Sequence, residues 1–404
     1  MLRSKSFWVL AVTALALAAC SEQAEIPIAP SIESAVKLNG TATAAWQEEA
    51  RTQVAAHNLS PLAAGRVFAL LGVAQYAAIV ALEEPNDDEG VLPEFGYGPG
   101  GRRRFELQRG ALAGASAQVL KFFFPNAASA IDQRFQVEQA AAAGEQFGRG
   151  LQVGTDVANQ LIARAQADHF TDPWTGTVPT GPGKWVNNGT PAGATFGNVT
   201  PYLLTTNDQF RPAPPPEFGS ADYLAALQEI RTLSDGRTAE QLAIANFWSF
   251  PTGTFTPLGY WNQVAGMYSE RYRLNERATA HVFALTHAAA YDAQIGCWDA
   301  KYYYWFIRPS QADPAITLPI GLPNHPSYPS GHSCNSAAAT TVLAHFFPNE
   351  QTELEGWLHE AGASRMYAGI HYRFDIDAGK ALGISVGQLA LDIDQNGGLL
   401  SALR

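Results

Sequence analysis

The chain has 404 residues, 47% hydrophobic and 16% charged, with 37 acidic against 26 basic side chains and a formal net charge of −11. A chain of this length buries a large core, and its apolar content belongs to a globular protein rather than a disordered one. The acidic balance argues against nucleic acid or an anionic membrane surface as partner.

In chain order, residues 1–19 read as an export signal. Arg3 and Lys5 form its basic start, and Phe7 to Ala19 is an apolar run of 13 residues, too short to span a bilayer. The run ends in Leu17-Ala18-Ala19-Cys20, which has the form of a bacterial lipobox, so Cys20 is expected to be the lipidated N-terminus of an exported lipoprotein. Ser21 rather than Asp follows it, which points to the outer membrane. Residues 20–40 are rich in Ser, Glu, Pro and Ala without apolar periodicity and read as a tether.

Residues 41–220 are expected to form an N-terminal helical region, with helical spacing over 104–124 and 147–167 and prolines 61, 85 and 125 at boundaries. Arg102-Arg103-Arg104 reads as a solvated loop before a helix. The apolar stretch Val67 to Leu82, interrupted by Gly72 and Gln75, reads as a buried core helix rather than a transmembrane one. Residues 169–220 are rich in Pro, Gly, Thr and Asn. A loop this long is functional or disordered, and Phe170, Trp174 and Trp185 favour a loop that drapes over the helices and lines a site mouth. Helical pattern resumes over 221–233, 238–250, 258–272 and 274–298, and no strand-period stretch stands out. The expected fold is all-α, two packed helical bundles in one unit, with residues 221–404 as the C-terminal helical region.

That region concentrates charge and histidine in three stretches: Lys301-Tyr-Tyr-Tyr-Trp-Phe-Ile-Arg308-Pro309, Tyr328-Pro-Ser330-Gly331-His332-Ser333, and Ser364-Arg365-Met-Tyr-Ala-Gly-Ile-His371-Tyr-Arg-Phe-Asp375. Arg presents a planar fork of N–H groups and Lys a point charge. Lys301 and Arg308 are seven apart, about two helical turns, so on a helix they share one face. Ser330 and Gly331 precede the helix-forming run 336–347, and a Ser hydroxyl with a Gly N–H at a helix N-terminus makes an anion site. His371 and Asp375 are four apart, within reach for the carboxylate to fix the imidazole tautomer. Gly369 is a natural break between Arg365 and His371. Together these residues read as a socket for one tetrahedral oxyanion. His281, His287, His345 and His359 read as packed or surface histidines. Cys297 and Cys334 flank the first two stretches, either as a disulfide permitted by export or as two buried thiols.

The succession K-x6-R-P, P-S-G-H and S-R-x5-H-x3-D resembles the signature shared by vanadium-dependent haloperoxidases and the acid phosphatases of the type-2 phosphatidic acid phosphatase superfamily. The lead-in Trp298-Asp299-Ala-Lys301 is similar to bacterial members of the haloperoxidase branch. The resemblance implies vanadate as cofactor, with Lys301, Arg308, Ser330, Gly331 and Arg365 on its equatorial oxygens, His371 as the axial metal ligand and His332 as acid/base. It implies a bromoperoxidase-type role for His325, for which a loop histidine tied to backbone is the alternative. The activity implied is oxidation of bromide or iodide by hydrogen peroxide, passed on to a small organic acceptor. A secreted phosphatase using His371 as nucleophile stays open. So does a lipid-anchored oxyanion binder, against which the intact His332 and His371 speak.

Overall fold

The computed structural model describes residues 41–83, 99–142 and 144–403. The expected export signal, Cys20 and the tether lie outside these residues. Among the described residues fourteen α-helices follow in order: α1 (Ala42–Ala56), α2 (Pro61–Val80), α3 (Pro99–Phe123), α4 (Ala128–Ala141), α5 (Glu145–Gln166), α6 (Ala221–Asp235), α7 (Ala239–Phe247), α8 (Thr256–Arg271), α9 (Glu276–Tyr304), α10 (Pro309–Ala312), α11 (Gly331–Phe346), α12 (Gln351–Tyr367), α13 (Arg373–Gln395) and α14 (Leu399–Leu403). Among the described residues the only extended pairing is one antiparallel bridge between Lys184 and Phe306. The chain is all-α, as expected.

The caps explain several helix starts. Thr41, Ser60, Ser220, Thr238 and Asn275 each accept a hydrogen bond from the backbone N–H three residues on, satisfying a donor the helix cannot. Helix α3 begins at Pro99, so Arg102–Arg104 lie in its first turns rather than in a loop. Pro supports a first helical turn, and Arg102 reaches Glu106 one turn on at 2.9 Å.

Helix α9 is the organising element. Its 29 residues are buried along most of their length, packed against α2, α8, α11 and α13. Helix α2 is long and apolar enough to cross a membrane, yet 89% of its most apolar window is covered by protein. Gln75 within it is bonded to Gln47 at 2.7 Å and to Ser116 at 3.0 Å, which suits a core helix. Helix α13 crosses the first turns of α11 at backbone distance. A Cβ on Gly379 would sit 2.6 Å from the Ser330 carbonyl, and one on Gly383 would strike the Cys334 carbonyl. This seam brings the start of α13 beside the start of α11.

The segment 169–220 drapes over α9, pinned by buried polar contacts. Asp292 accepts the N–H groups of Tyr202, Leu203 and Leu204 at 2.9, 2.6 and 3.0 Å. Arg211 forks onto Asp299 at 2.7 and 2.8 Å. Trp185 and Phe196 are buried. A bare loop could not hide its backbone groups this way, and here side chains of α9 satisfy them.

Candidate active site

The socket is built from the end of α9, the connection between α9 and α11, and the turn between α12 and α13. Helix α9 stops because Trp305 adopts the left-handed conformation (φ 54°), its N–H closing on the Lys301 carbonyl at 2.9 Å. The chain then runs extended against the draped segment, with Trp185 N–H on the Trp305 carbonyl and Ile307 N–H on the Gly183 carbonyl. Arg308 is therefore in extended backbone before α10 (φ −85°, ψ 154°). Lys301 and Arg308 do not share a helical face, contrary to what their spacing suggested. The left-handed stop at Trp305 turns the chain between them, and tertiary pairing holds Arg308 in place.

Ser330 caps α11 and Gly331 is its first residue, so the helix opens five residues before the run of helix-formers that marked it in sequence. Trp298 closes over that N-terminus. A Cβ on Gly331 would lie 2.9 Å from its indole, so glycine lets that ring pack against the helix start. Helix α12 ends at Tyr367, Gly369 takes φ +73°, and His371 stands just before α13. Cys297, one turn before Lys301, is joined by a disulfide to Cys334, one turn into α11, with Cα atoms 6.3 Å apart. The first two stretches are thus covalently tied.

The cations are buried together. Arg308 donates to the carbonyls of His325 (2.9 Å) and Ile370 (2.7 Å) and to His325 Nδ1 (3.1 Å). Arg365 donates to Ser364 Oγ at 2.9 Å and to the Ala245 carbonyl at 3.1 Å. Each guanidinium carries five N–H groups, more than these contacts use. The Lys301 ammonium donates to the carbonyls of Pro326 (2.9 Å), Ser327 (2.8 Å) and Pro329. With all three N–H groups engaged, it acts in this arrangement chiefly as a buried charge. Burial brings Arg308 down to about 10, and burial together with the charge of Arg308 brings Arg365 down to about 9. Lys301 is likewise pushed well below its ordinary value by burial, then by Arg308. Three buried cations face one carboxylate, Asp375, so an anion here relieves their mutual repulsion.

The histidines are neutral and oriented. Burial pushes all three well below their ordinary value. Arg308 and Lys301 add to this at His371, Arg365 at His332, and Lys301 and Arg308 at His325. His371 Nδ1 bonds Asp375 Oδ2 at 2.8 Å, which puts the proton on Nδ1 and the lone pair on Nε2. His332 Nε2 lies 2.8 Å from the Trp248 carbonyl, so Nε2 carries the proton and Nδ1 is open to accept one. An Arg can only donate, so His325 Nδ1 accepts from Arg308 and its proton sits on Nε2. Its ring packs beside Trp298 at 5.0 Å. This set of N–H and O–H donors, one imidazole lone pair and a second imidazole for proton exchange suits a tetrahedral vanadate or phosphate.

Two participants were not legible from spacing. Ser327, inside Asn324-His-Pro-Ser-Tyr-Pro-Ser-Gly-His, donates its hydroxyl to Asp375 Oδ2 at 2.6 Å. Trp248 lies 84 positions from the histidine it orients. The draped segment also reaches the site. Ala192 N–H donates to the Asn324 carbonyl at 2.8 Å, while its carbonyl accepts from Tyr302 (2.7 Å) and from Trp298 Nε1 (3.3 Å).

Residues 278–397 match the PAP2 superfamily model. Among curated proteins, a non-specific acid phosphatase of Providencia stuartii is 29% identical over 177 residues, spanning 41% of this chain and 67% of that protein. A non-specific acid phosphatase of Salmonella typhi is 42% identical over 59 residues, or 14% of this chain and 23% of that protein. Among solved structures, a bacterial vanadium-dependent iodoperoxidase superposes with TM-score 0.73 at 24% identity, covering 88% of this chain and 97% of its own. A holo bacterial vanadium-dependent chloroperoxidase gives TM-score 0.63 at 16% identity, covering 84% and 94%. At these identities the superpositions establish a shared fold.

Proposed function

We propose that this chain, whose residues 278–397 match the PAP2 superfamily, is a vanadate-dependent haloperoxidase, oxidising bromide or iodide with hydrogen peroxide. The observation that carries this reading is how the N-terminal half enters the site. The segment 183–192 is bonded to Trp305, Ile307 and Asn324, beside Arg308 and His325 in the socket, within a fold that aligns with 97% of an iodoperoxidase chain. The likeness to the Providencia stuartii acid phosphatase runs over 177 residues.

In this reading Arg308, Arg365, the Ser330 hydroxyl and the Gly331 N–H bind the oxyanion, and Lys301 adds charge. His371 Nε2 would supply the bond to vanadium, with Asp375 holding the ring. When bound, vanadate would supply Lewis-acid activation of peroxide toward halide. His332 Nδ1 takes up a proton from peroxide and returns it toward the departing oxygen. The draped segment and Trp298 wall the site from bulk water.

The acid phosphatase likeness favours one second reading. The same donors suit a phosphoryl group, with His371 Nε2 attacking phosphorus and His332 protonating the leaving oxygen.

His325, set between Arg308 and Trp298, is proposed to favour oxidation of the harder halide. Bromide turnover in His325→Ala is expected to fall more than iodide turnover. Equal losses, or none, would make it a residue of the loop alone. Export and lipid anchoring at Cys20 are proposed from the sequence of residues 1–20. Cys20→Ala is expected to accumulate as unprocessed or unanchored protein, and recovery of unlipidated wild type from periplasm or medium would overturn the anchor.

A further inference from the structure

We infer that Ser327 is a positioning residue that fixes the direction of the His371 lone pair relative to the anion donors at the start of α11. Its contacts are unusual for a serine in a connecting segment. It is completely buried, and each of its polar groups meets a different part of the socket. Its N–H donates to the Phe306 carbonyl at 2.9 Å, and its carbonyl accepts from the Lys301 ammonium at 2.8 Å. Its hydroxyl donates to Asp375 Oδ2 at 2.6 Å.

The other two donors on that carboxylate oxygen are His371 Nδ1 at 2.8 Å and the Tyr372 N–H at 3.1 Å. Both belong to the same short segment as Asp375, so they tie the carboxylate to its own turn and to nothing else. Asp375 Oδ1 is buried with no hydrogen-bond partner. The Ser330 N–H holds the Asp375 backbone carbonyl at 2.9 Å, which places the start of α13 but leaves the side chain to rotate. Ser327 is thus the side chain that references the Asp375–His371 pair to the segment that leads into Ser330 and Gly331 at the start of α11. A ligand bond along one axis needs that reference, because the imidazole must point at the atom that the α11 N-terminus and the arginines hold. An anion held only by hydrogen bonds and charge does not need it.

This role rests on the proposed bond between His371 and vanadium, and its test separates the two claims. Equilibrium dialysis of the purified protein with orthovanadate and, separately, with inorganic phosphate gives both affinities. Wild type is expected to hold vanadate more tightly than phosphate, reflecting the His371 bond. Ser327→Ala is expected to lose about 10- to 100-fold in vanadate affinity, the usual cost of removing an outer partner of a metal ligand. Its phosphate affinity should stay within about twofold, which also reports that the variant is folded. Ser327→Thr, keeping the hydroxyl, is expected to restore vanadate affinity. In a His371→Ala background the Ser327→Ala change should cost nothing further. Equal loss for both anions would reduce Ser327 to a structural support of the loop, and unchanged vanadate affinity would remove its role. A wild type that holds vanadate no tighter than phosphate would overturn the metal bond itself, and the role of Ser327 with it.

Discussion

Replacing His371 with alanine is expected to reduce vanadate-dependent halide oxidation to the uncatalysed level. In the proposed reading His371 is the side chain that bonds the metal. Its Nδ1 proton is committed to Asp375, and burial among cations keeps Nε2 unprotonated. The variant keeps Arg308, Arg365, Lys301 and the α11 N-terminus, so it should still take up phosphate. What it loses is the bond that distinguishes vanadate from phosphate, so the two affinities should converge. The measurement is halide turnover at saturating vanadate beside dialysis for both anions. Appreciable turnover in His371→Ala would mean that another group ligates the metal.

Replacing His332 with alanine is expected to lower turnover by about 10²–10⁴-fold, the usual worth of a positioned general acid/base, while vanadate still binds. The Trp248 carbonyl takes the Nε2 proton and leaves Nδ1 as the exchanging atom. Burial and Arg365 push the ring well below its ordinary value, so it stays neutral at neutral pH. The loss should appear in kcat at vanadate concentrations that saturate the variant. If instead affinity collapses and kcat at saturation survives, His332 is a ligand of the oxyanion and not its proton carrier.

How much of this was readable from the chain differs by element. The three stretches announced themselves because each pairs charge or histidine with Gly or Pro, and those residues fix backbone geometry locally. Gly369 does create the bend before His371, and the i to i+4 spacing does bring Asp375 to the imidazole, although His371 itself precedes the helix. The all-α reading followed from helical apolar spacing, and α2, read as a core helix because Gly72 and Gln75 interrupt its apolar run, is covered by protein over most of its length.

At the socket, tertiary contacts overrode local pattern. Lys301 and Arg308 looked like one helical face, but Trp305 turns left-handed and the following residues pair with Gly183 and Trp185. Arg102–Arg104 looked like loop because charge clusters usually are, but Pro99 starts the helix earlier. The cysteines left two readings open, and the packing of α9 on α11 brings them to bonding distance. Ser327 carried no signal, since a serine in a Pro-rich stretch is ordinary until the fold places a carboxylate against it.

The central claim is tested most directly by preparing residues 21–404 free of metal and phosphate and titrating them with vanadate. Peroxide-dependent oxidation of bromide or iodide is expected to appear only as vanadate is added. Excess phosphate should suppress it, because the buried cations hold either tetrahedral anion. Phosphoester hydrolysis at enzymatic rates without metal, inhibited by vanadate and accompanied by no halide oxidation at any vanadate concentration, would contradict the account and leave the phosphatase reading in its place.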